Sequence, residues 1–144
     1  MRLRTQFPTQ VSSGDDGNFW DLKQSSLNPA LRIEPSNAQD VSEILKILVE
    51  ENCHFAIKSG GVARGAGSSN ADAGVTIDLV RLNGVEIAED RKSVKLGPGS
   101  RWLDVYSRLD PYGLTVLGGR VPIVGVGGFL LGGEFLQPDP GDDC

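Results

Sequence analysis

The sequence has few of the residues that carry metal, disulfide or thiol chemistry. Its 144 residues include two cysteines, one histidine and one methionine. Cys53 and Cys144 are too few for a disulfide framework, and a single histidine, His54, outside any Cys/His cluster argues against a zinc site. We therefore expect neither metal nor disulfide chemistry from this chain.

Basic charge and long apolar runs are also scarce. Lys and Arg number 14 against 19 Asp and Glu, which gives a formal net charge of −5. Binding to nucleic acid or to an anionic membrane needs clustered Lys and Arg, so neither partner is expected. The longest apolar stretch, residues 121–131, is too short and too rich in glycine to span a bilayer.

The N-terminus is basic but lacks the apolar segment of a secretory signal. Residues 1–5 include Arg2 and Arg4, and polar residues follow them. The default expectation is a cytoplasmic protein, and secretion is the alternative if the N-terminus is incomplete.

The length allows one domain with a real core and not two of ordinary size. We divide the chain into a polar N-terminal arm (residues 1–28), a domain (residues 29–133) and an acidic tail (residues 134–144). The tail is broken by prolines and cannot extend a buried strand without burying charges. We expect it to be disordered and to reflect a truncated or frameshifted gene product.

The hydrophobic pattern predicts a short strand at residues 30–34 and then an amphipathic helix. Ser36 is the expected N-cap, with Gln39 completing a capping box. The apolar face of this helix continues to about Glu51.

Several short elements account for the rest of the domain. The expected elements are strands at 55–57 and 75–79, the second half-buried; a hairpin of 84–88 and 93–96; a helix at 101–109 capped by Ser100; a strand at 114–117; and a helix at 124–131. This order predicts the α+β class, with helices packed on small mixed sheets.

Glycine is abundant, and it is concentrated in two places. The first glycine segment (residues 59–67) and the second glycine segment (residues 118–133) together hold eleven of the nineteen glycines. Without a Cβ, glycine adopts positive φ and lets main-chain N–H groups approach a ligand closely, which suits a diphosphate. The two segments therefore predict a dinucleotide-type cofactor.

Four motifs in series resemble a known family. They are Lys58-Ser59-Gly60-Gly61, Asp78-Leu79, Gly97-Pro98-Gly99-Ser100-Arg101-Trp102 and Val124-Gly125-Val126-Gly127-Gly128. Their order resembles the PCMH-type FAD-binding domain of the vanillyl-alcohol oxidase and p-cresol methylhydroxylase superfamily. In particular, the chain resembles the berberine-bridge-enzyme-like FAD-linked oxidoreductases of fungal secondary metabolism. The resemblance covers roughly residues 19–133.

This resemblance implies that both glycine segments contact FAD. In such proteins the first segment wraps the FAD diphosphate, and the second lines the adenine side and approaches the flavin ring. The matching candidate cofactor-binding residues are Ser59, Gly60, Gly61, Val62, Ala63, Arg64, Ser68, Val124, Gly125, Gly127, Gly128, Gly132 and Gly133. No catalytic residue is assigned, because family members take their base from outside this part of the chain.

The chain departs from the family at the two positions where relatives bond covalently to flavin. Relatives usually have a histidine after Ser-Gly-Gly, and some have a cysteine before the proline of the second segment. Val62 and Val121 stand there, and neither has a nucleophilic atom, so we expect FAD to be held non-covalently. Cys53, which often pairs with a strand cysteine in fungal relatives, has Leu31 at the matching position and is expected to be a buried thiol.

Some side chains carry two interpretations. Lys58 and Arg64 either pair with cofactor phosphates or remain solvated loop charges, and the phosphate is favoured for Arg64. Asp78 is predicted to cap a nearby backbone N–H rather than to bind a ligand hydroxyl. One helical face expected in the core holds Trp102, Tyr106 and Leu109.

The leading hypothesis is a partial FAD-linked oxidoreductase domain whose relatives oxidise small alcohols, sugars or secondary metabolites with flavin and dioxygen. Turnover by this chain alone is left open. The alternative is a non-catalytic pseudoenzyme fragment, an interaction module that self-associates through the apolar sheet surface that relatives cover. A third hypothesis, a Rossmann domain around Gly125-Val126-Gly127, is weak because no acidic residue follows about twenty residues later.

Overall fold

The computed structural model describes residues 2–13 and 18–132. Within these ranges the helices are α1 (Arg2–Gln6), α2 (Leu22–Ser25), α3 (Ala38–Glu50), α4 (Trp102–Leu109) and α5 (Val126–Gly132). The strands are β1 (Val11–Ser12), β2 (Leu31–Ile33), β3 (Phe55–Lys58), β4 (Val75–Asp78), β5 (Val85–Ile87) and β6 (Val94–Leu96). Two 3₁₀ turns follow β4 and α4, at Leu79–Arg81 and Asp110–Tyr112. The tail predicted from residue 134 onward lies outside the described residues.

A four-stranded mixed sheet has the order β1-β2-β4-β3. β2 and β3 run parallel to β4, and β1 runs antiparallel to β2. All four residues of β4 are buried. The strand itself was predicted, but its half-buried character was wrong, because a central parallel strand is covered on both faces.

One face of this sheet buries apolar side chains, and the other buries polar ones. One face packs against α1 and α3 in an apolar core made of Leu3, Phe7, Leu31, Ile33, Ile44, Ile47, Leu48, Val75 and Ile77. Since strand residues alternate between faces, Arg32, Thr76 and Asp78 point to the opposite side. Thr76 and Asp78 are fully buried there, so this polar face requires hydrogen-bonding partners.

The N-terminal segment contributes more to the fold than the polar arm expected from its composition. Leu3 of α1 and Phe7 are buried in the apolar core, and β1 adds an edge strand to the sheet. Leu3 and Phe7 are four residues apart, but Pro8 follows at once, and a spacing over so short a stretch does not predict a buried helix. These contacts depend on α3 and β2 being in place to receive them.

Helix α3 begins one residue later than predicted. Asn37, not Ser36, is the N-cap, and its side chain accepts a hydrogen bond from the Asp40 N–H at 2.9 Å. The Asp40 carboxylate in turn accepts from the Ser36 N–H at 2.9 Å. Ser and Asn are both favourable N-cap residues, so residue type alone does not distinguish Ser36 from Asn37.

A second core lies between the β5–β6 hairpin, α4 and α5. Its buried residues are Trp102, Val105, Leu109 and Val126. Trp102 and Leu109 were expected there, and Tyr106, also expected, is partly buried against them. Helix α4 begins after Arg101, whose N–H donates to the Asp104 carboxylate at 2.9 Å, and the predicted cap Ser100 is instead fully buried.

Residues 114–117, all of them described, do not form the predicted strand. Leu114 and Val116 pack on the second core, but residues 114–117 pair with no described strand. Alternation of apolar residues indicates which side chains face a core. It does not show whether another strand lies beside the segment to pair with it, so a strand could not be predicted from alternation alone. Among the described helices, none has the length and apolar character required to cross a membrane.

Candidate functional site

A cleft of about 450 Å³ lies where the two glycine segments meet. Its walls come from the end of β3, the loop after it, the turn before α4 and the start of α5. The lining residues are Ile57, Ser59, Gly60, Gly61, Val62, Ala63, Ser68, Ser69, Leu79, Pro98, Val124, Gly125, Gly127, Gly128, Phe129 and Leu131. Segments that are far apart in sequence therefore form one site.

Direct main-chain contact between the two segments closes one end of this cleft. A Cβ placed on Gly60 would lie 2.8 Å from the Cα of Gly125, and a Cβ on Gly125 would lie equally close to the Cα of Gly60. The Ser59 hydroxyl donates to the Pro98 carbonyl at 2.6 Å, and Gly127 packs beside the same carbonyl. No side chain larger than hydrogen fits at Gly60 or Gly125 without moving the backbone.

The main-chain N–H groups of the loop between β3 and β4 fall into two sets. Those of residues 68–71 all donate within the protein: Ser68 to the Gly65 carbonyl, Ser69 and Asn70 to the Gln24 side chain, and Ala71 to the Thr76 hydroxyl. Those of residues 60–67 donate to no acceptor in the part of the chain that the structure describes. Of these, residues 60–63 line the cleft, so the first half of the loop presents donors that only solvent or a ligand can satisfy.

A covering segment (residues 18–27) lies across this loop. The Trp20 N–H donates to the Gly61 carbonyl at 3.0 Å, and the Arg64 guanidinium carbon is 5.3 Å from the centroid of the Trp20 ring. The Lys58 ammonium lies 4.8 Å from the centroid of the Phe19 ring. The covering segment therefore contacts the first glycine segment at Gly61 and Arg64, and the strand before it at Lys58.

Lys58 belongs to a buried ion-pair network. Its Nζ lies 2.9 Å from Oδ2 of Asp78, and Arg32 contacts the same oxygen at 3.0 Å and Glu34 at 2.6 Å. The Lys58 side chain is 3% exposed, so neither sequence interpretation, phosphate partner or solvated charge, describes it. Asp78 also accepts from the Val80 N–H at 3.0 Å, which confirms its predicted capping role.

The beginning of the second glycine segment supports the fold. Gly118 and Gly119 pack on the indole of Trp102, and a Cβ on Gly119 would lie 2.6 Å from its Nε1. The Tyr106 hydroxyl donates to the Gly119 carbonyl at 3.1 Å, and burial raises the pKa of Tyr106. These two glycines pack against α4 through Trp102, and they do not line the cleft.

Ten of the thirteen candidate residues line the cleft, and three do not. Arg64 is exposed and stacks on Trp20, away from the lining. Gly132 is exposed at the end of α5, and Gly133 lies outside the described residues. Position within a glycine-rich stretch therefore did not suffice to place a residue at the cleft.

Some residues at the site were missed by sequence reasoning. The additional lining residues are Ile57, Ser69, Leu79, Pro98, Phe129 and Leu131. Ile57 and Leu79 adjoin strand ends, which is a usable signal, since ligands in α/β sheets gather there. Gln24 hydrogen-bonds to residues 65, 69 and 70 of the loop without lining the cleft. Nothing in its polar sequence segment distinguishes it from its neighbours.

Comparisons with known proteins agree with this geometry. A family described as "FAD binding domain" matches residues 29–135. The FAD-dependent monooxygenase yanF of Aspergillus niger is 48% identical over 108 residues, which are 74% of this chain and 19% of the relative. The FAD-dependent monooxygenase drtC of Aspergillus calidoustus is 47% identical over 113 residues, 76% of this chain and 22% of the relative. The chain thus spans about a fifth of the length of the curated relatives it matches.

Solved structures share the fold. A chitooligosaccharide oxidase superposes with a TM-score of 0.73 at 27% identity, over 88% of this chain and 28% of that one. The Bermuda grass isoallergen BG60 superposes with a TM-score of 0.80 over 92% of this chain and 31% of that one, at 19% identity. At that identity the second likeness concerns the fold alone.

Proposed function

The chain belongs to the FAD-binding domain family of FAD-linked oxidoreductases, and we propose that it binds FAD non-covalently in the cleft between its two glycine segments. One observation carries the proposal. The N–H groups of residues 60–63 have no acceptor among the described residues, and all four residues line the cleft. A diphosphate supplies acceptors for several such donors at once.

The rest of the cleft suits the other parts of FAD. Its further lining is largely apolar, with Ile57, Leu79, Phe129 and Leu131 among its residues. Flat aromatic rings are well accommodated by such walls, with few polar contacts to fix their orientation. When bound, FAD supplies a two-electron acceptor, and the protein supplies binding, orientation and exclusion of water.

The absence of a covalent bond follows from side-chain chemistry. Val62 lines the cleft at the position where relatives usually carry the linking histidine, and its isopropyl group has no lone pair to form a bond. Val121 is half exposed and lies outside the lining. FAD is then retained only by hydrogen bonds and packing, so it exchanges with free cofactor.

The activity proposed for the whole protein is flavin-dependent oxidation. Curated relatives are named FAD-dependent monooxygenases, and several solved neighbours are named oxidases. Small alcohols, sugars or secondary metabolites, with dioxygen as the oxidant, form the proposed substrate class. The described residues include no group that we assign to proton abstraction.

A second candidate is an interaction module, favoured by the exposed apolar side chains of α5. Leu131 is 92% exposed and Leu130 is 55% exposed. Apolar surface of this kind commonly marks a contact with another surface. Size-exclusion chromatography separates the candidates, since the interaction module predicts self-association without FAD and the cofactor domain predicts a monomer that gains stability with FAD.

FAD titration of the purified chain tests the leading proposal. We expect quenching of flavin fluorescence, and added stability of about 2.7 kcal/mol when free FAD is a hundredfold above Kd. Riboflavin, which lacks both the diphosphate and the adenosine, is the comparison ligand and should bind more weakly. After acid precipitation the flavin should remain in the supernatant. Equal binding of riboflavin and FAD, or flavin pelleting with the protein, would contradict the proposal.

A further inference from the structure

Gln24 is fully buried although it lies in the polar-looking covering segment. It is the third residue of α2, a four-residue helix whose other side chains are half-buried or exposed. A buried amide is costly unless its donor and acceptor are both used, so its surroundings must supply partners. Those partners come from the loop between β3 and β4.

The Gln24 amide connects residue 65 of that loop to residues 69 and 70. Its Nε2 donates to the Gly65 carbonyl. Its Oε1 accepts from the Asn70 N–H at 3.1 Å and from the Ser69 N–H at 3.4 Å. Residues 65 and 70 are thereby held together, with Ser68 and Ser69 between them on the cleft wall.

The same connection extends to the sheet. The Asn70 side chain donates to the main-chain carbonyls of Gln24 and Leu27, at 2.9 and 3.2 Å. Its oxygen accepts from the Thr76 hydroxyl at 2.8 Å, and that hydroxyl also accepts from the Ala71 N–H at 3.0 Å. A continuous chain of hydrogen bonds therefore runs from α2 through the loop to β4.

This arrangement explains why residues 60–63 and 68–71 differ. Gln24 and Thr76 together accept from the N–H groups of Ser69, Asn70 and Ala71, so these N–H groups are not available to a ligand. The N–H groups at the cleft that have no acceptor among the described residues are those of residues 60–63. Preorganised donors bind better than donors that must first be arranged, because the ordering cost has already been met.

Resting on the proposed FAD site, we propose that Gln24 is a positioning residue for the cofactor. It lies outside the cleft lining, and it holds residues 65–70 in place so that the N–H groups of residues 60–63 are positioned for the diphosphate. Cofactor affinity is thus set in part by the covering segment, which comes before the matched family region in sequence.

The test measures FAD affinity together with stability in the absence of FAD. Gln24→Leu keeps a side chain of similar size but removes both hydrogen-bonding groups, leaving the buried N–H groups of Ser69 and Asn70 without acceptors. We expect FAD Kd to rise about tenfold or more, since each unmet buried group has a large cost. Leu48→Ala is the control, because it destabilises the apolar core on the other face of the sheet without touching the loop. It should change FAD Kd less than about twofold among folded molecules.

A milder variant covers the case in which Gln24→Leu does not fold. Thr76→Val removes the hydroxyl at the far end of the hydrogen-bond chain, and it should weaken FAD binding in the same direction by a smaller factor. Amide exchange of residues 68–71 in the FAD-free protein should accelerate in both Gln24→Leu and Thr76→Val. In Leu48→Ala, exchange of these amides should accelerate only by the amount that the lower free energy of global unfolding accounts for.

The outcomes separate the two proposals. Wild-type chain that binds no FAD overturns the proposed function and the affinity claim with it. Wild-type binding that Gln24→Leu and Thr76→Val leave unchanged overturns only the positioning role. Equal weakening in Leu48→Ala also overturns it, because the effect would then be one of general stability. Faster exchange at residues 68–71 with weaker FAD binding in the Gln24 and Thr76 variants alone supports it.

Discussion

Gly60 and Gly125 touch through their main chains, and neither position has room for a Cβ. This contact joins a loop that follows a parallel strand to the residue that precedes α5. It decides that the two glycine segments form one cleft and not two separate turns. Several consequences can be measured.

Gly60→Ala should destabilise the chain and weaken FAD binding together. The added methyl would overlap the backbone of Gly125, and relieving such overpacking costs about 1–3 kcal/mol. Urea denaturation and flavin fluorescence measure the two effects. Gly84→Ala is the matched control, because a Cβ there meets no atom within 4 Å, and its effect should stay within about 0.5 kcal/mol. Equal losses in the two variants would show that the close contact is not the cause.

Asp78→Asn should reduce stability by about 3–5 kcal/mol, because it leaves the Lys58 ammonium and the Arg32 guanidinium beside a neutral group. Both cations contact the Asp78 carboxylate, which is 1% exposed. Equilibrium unfolding in urea gives the value. Glu86→Gln breaks a pair with Lys95 in which both side chains are more than two-thirds exposed, and it should cost less than about 1 kcal/mol. Similar losses for the two substitutions would contradict the difference in burial.

Tyr106 should make stability fall at alkaline pH. Burial raises its pKa above the ordinary value of 10.0, so its contribution is complete below about pH 10 and is lost as the pH rises through the folded-state pKa. Tyr106→Phe removes the hydrogen bond to the Gly119 carbonyl, costing about 1 kcal/mol at neutral pH, and should flatten the alkaline decline. Urea unfolding from neutral pH to about pH 11 measures this. The Tyr112→Phe control should retain the decline, and an identical profile in the two variants would refute the assignment.

Asp40 should contribute to the loss of stability in acid. The hydrogen bond from the Ser36 N–H, assisted by the Gln10 side chain, lowers the pKa of Asp40 below its ordinary value of 3.8. Its contribution is therefore present above that value and disappears as the pH falls through the lower folded-state pKa. Asp40→Asn should lower stability at neutral pH and weaken the dependence on acid, as followed by unfolding at several pH values. Glu89→Gln, in the exposed hairpin turn, should leave the acid profile unchanged.

Much of the domain could be read from local pattern. The amphipathic spacing of α3, the turn between β5 and β6 and the apolar face of α4 each appear within one short window, and the structure has all three. The shared cleft could be expected only from the resemblance, since nothing local says that Gly60 meets Gly125. The strand predicted at residues 114–117 failed for the same reason, because pairing requires a partner that the pattern does not name.

The site was predictable where it depends on main-chain shape and unpredictable where it depends on what covers it. Glycine positions marked most of the cleft lining, because a missing Cβ is a property of the residue itself. Burial of Lys58 beneath Phe19 and the role of Gln24 could not be inferred, since both depend on where the covering segment lies.

The sequence by itself determined the α+β class, the family and the glycine-rich positions where a phosphate can approach the main chain closely. These follow from residue type and spacing, which local sterics and periodicity translate directly into structure. Only the tertiary structure decided which of those main-chain donors remain unsatisfied, because a hydrogen bond needs a partner within about 3 Å, and such partners come from distant parts of the chain.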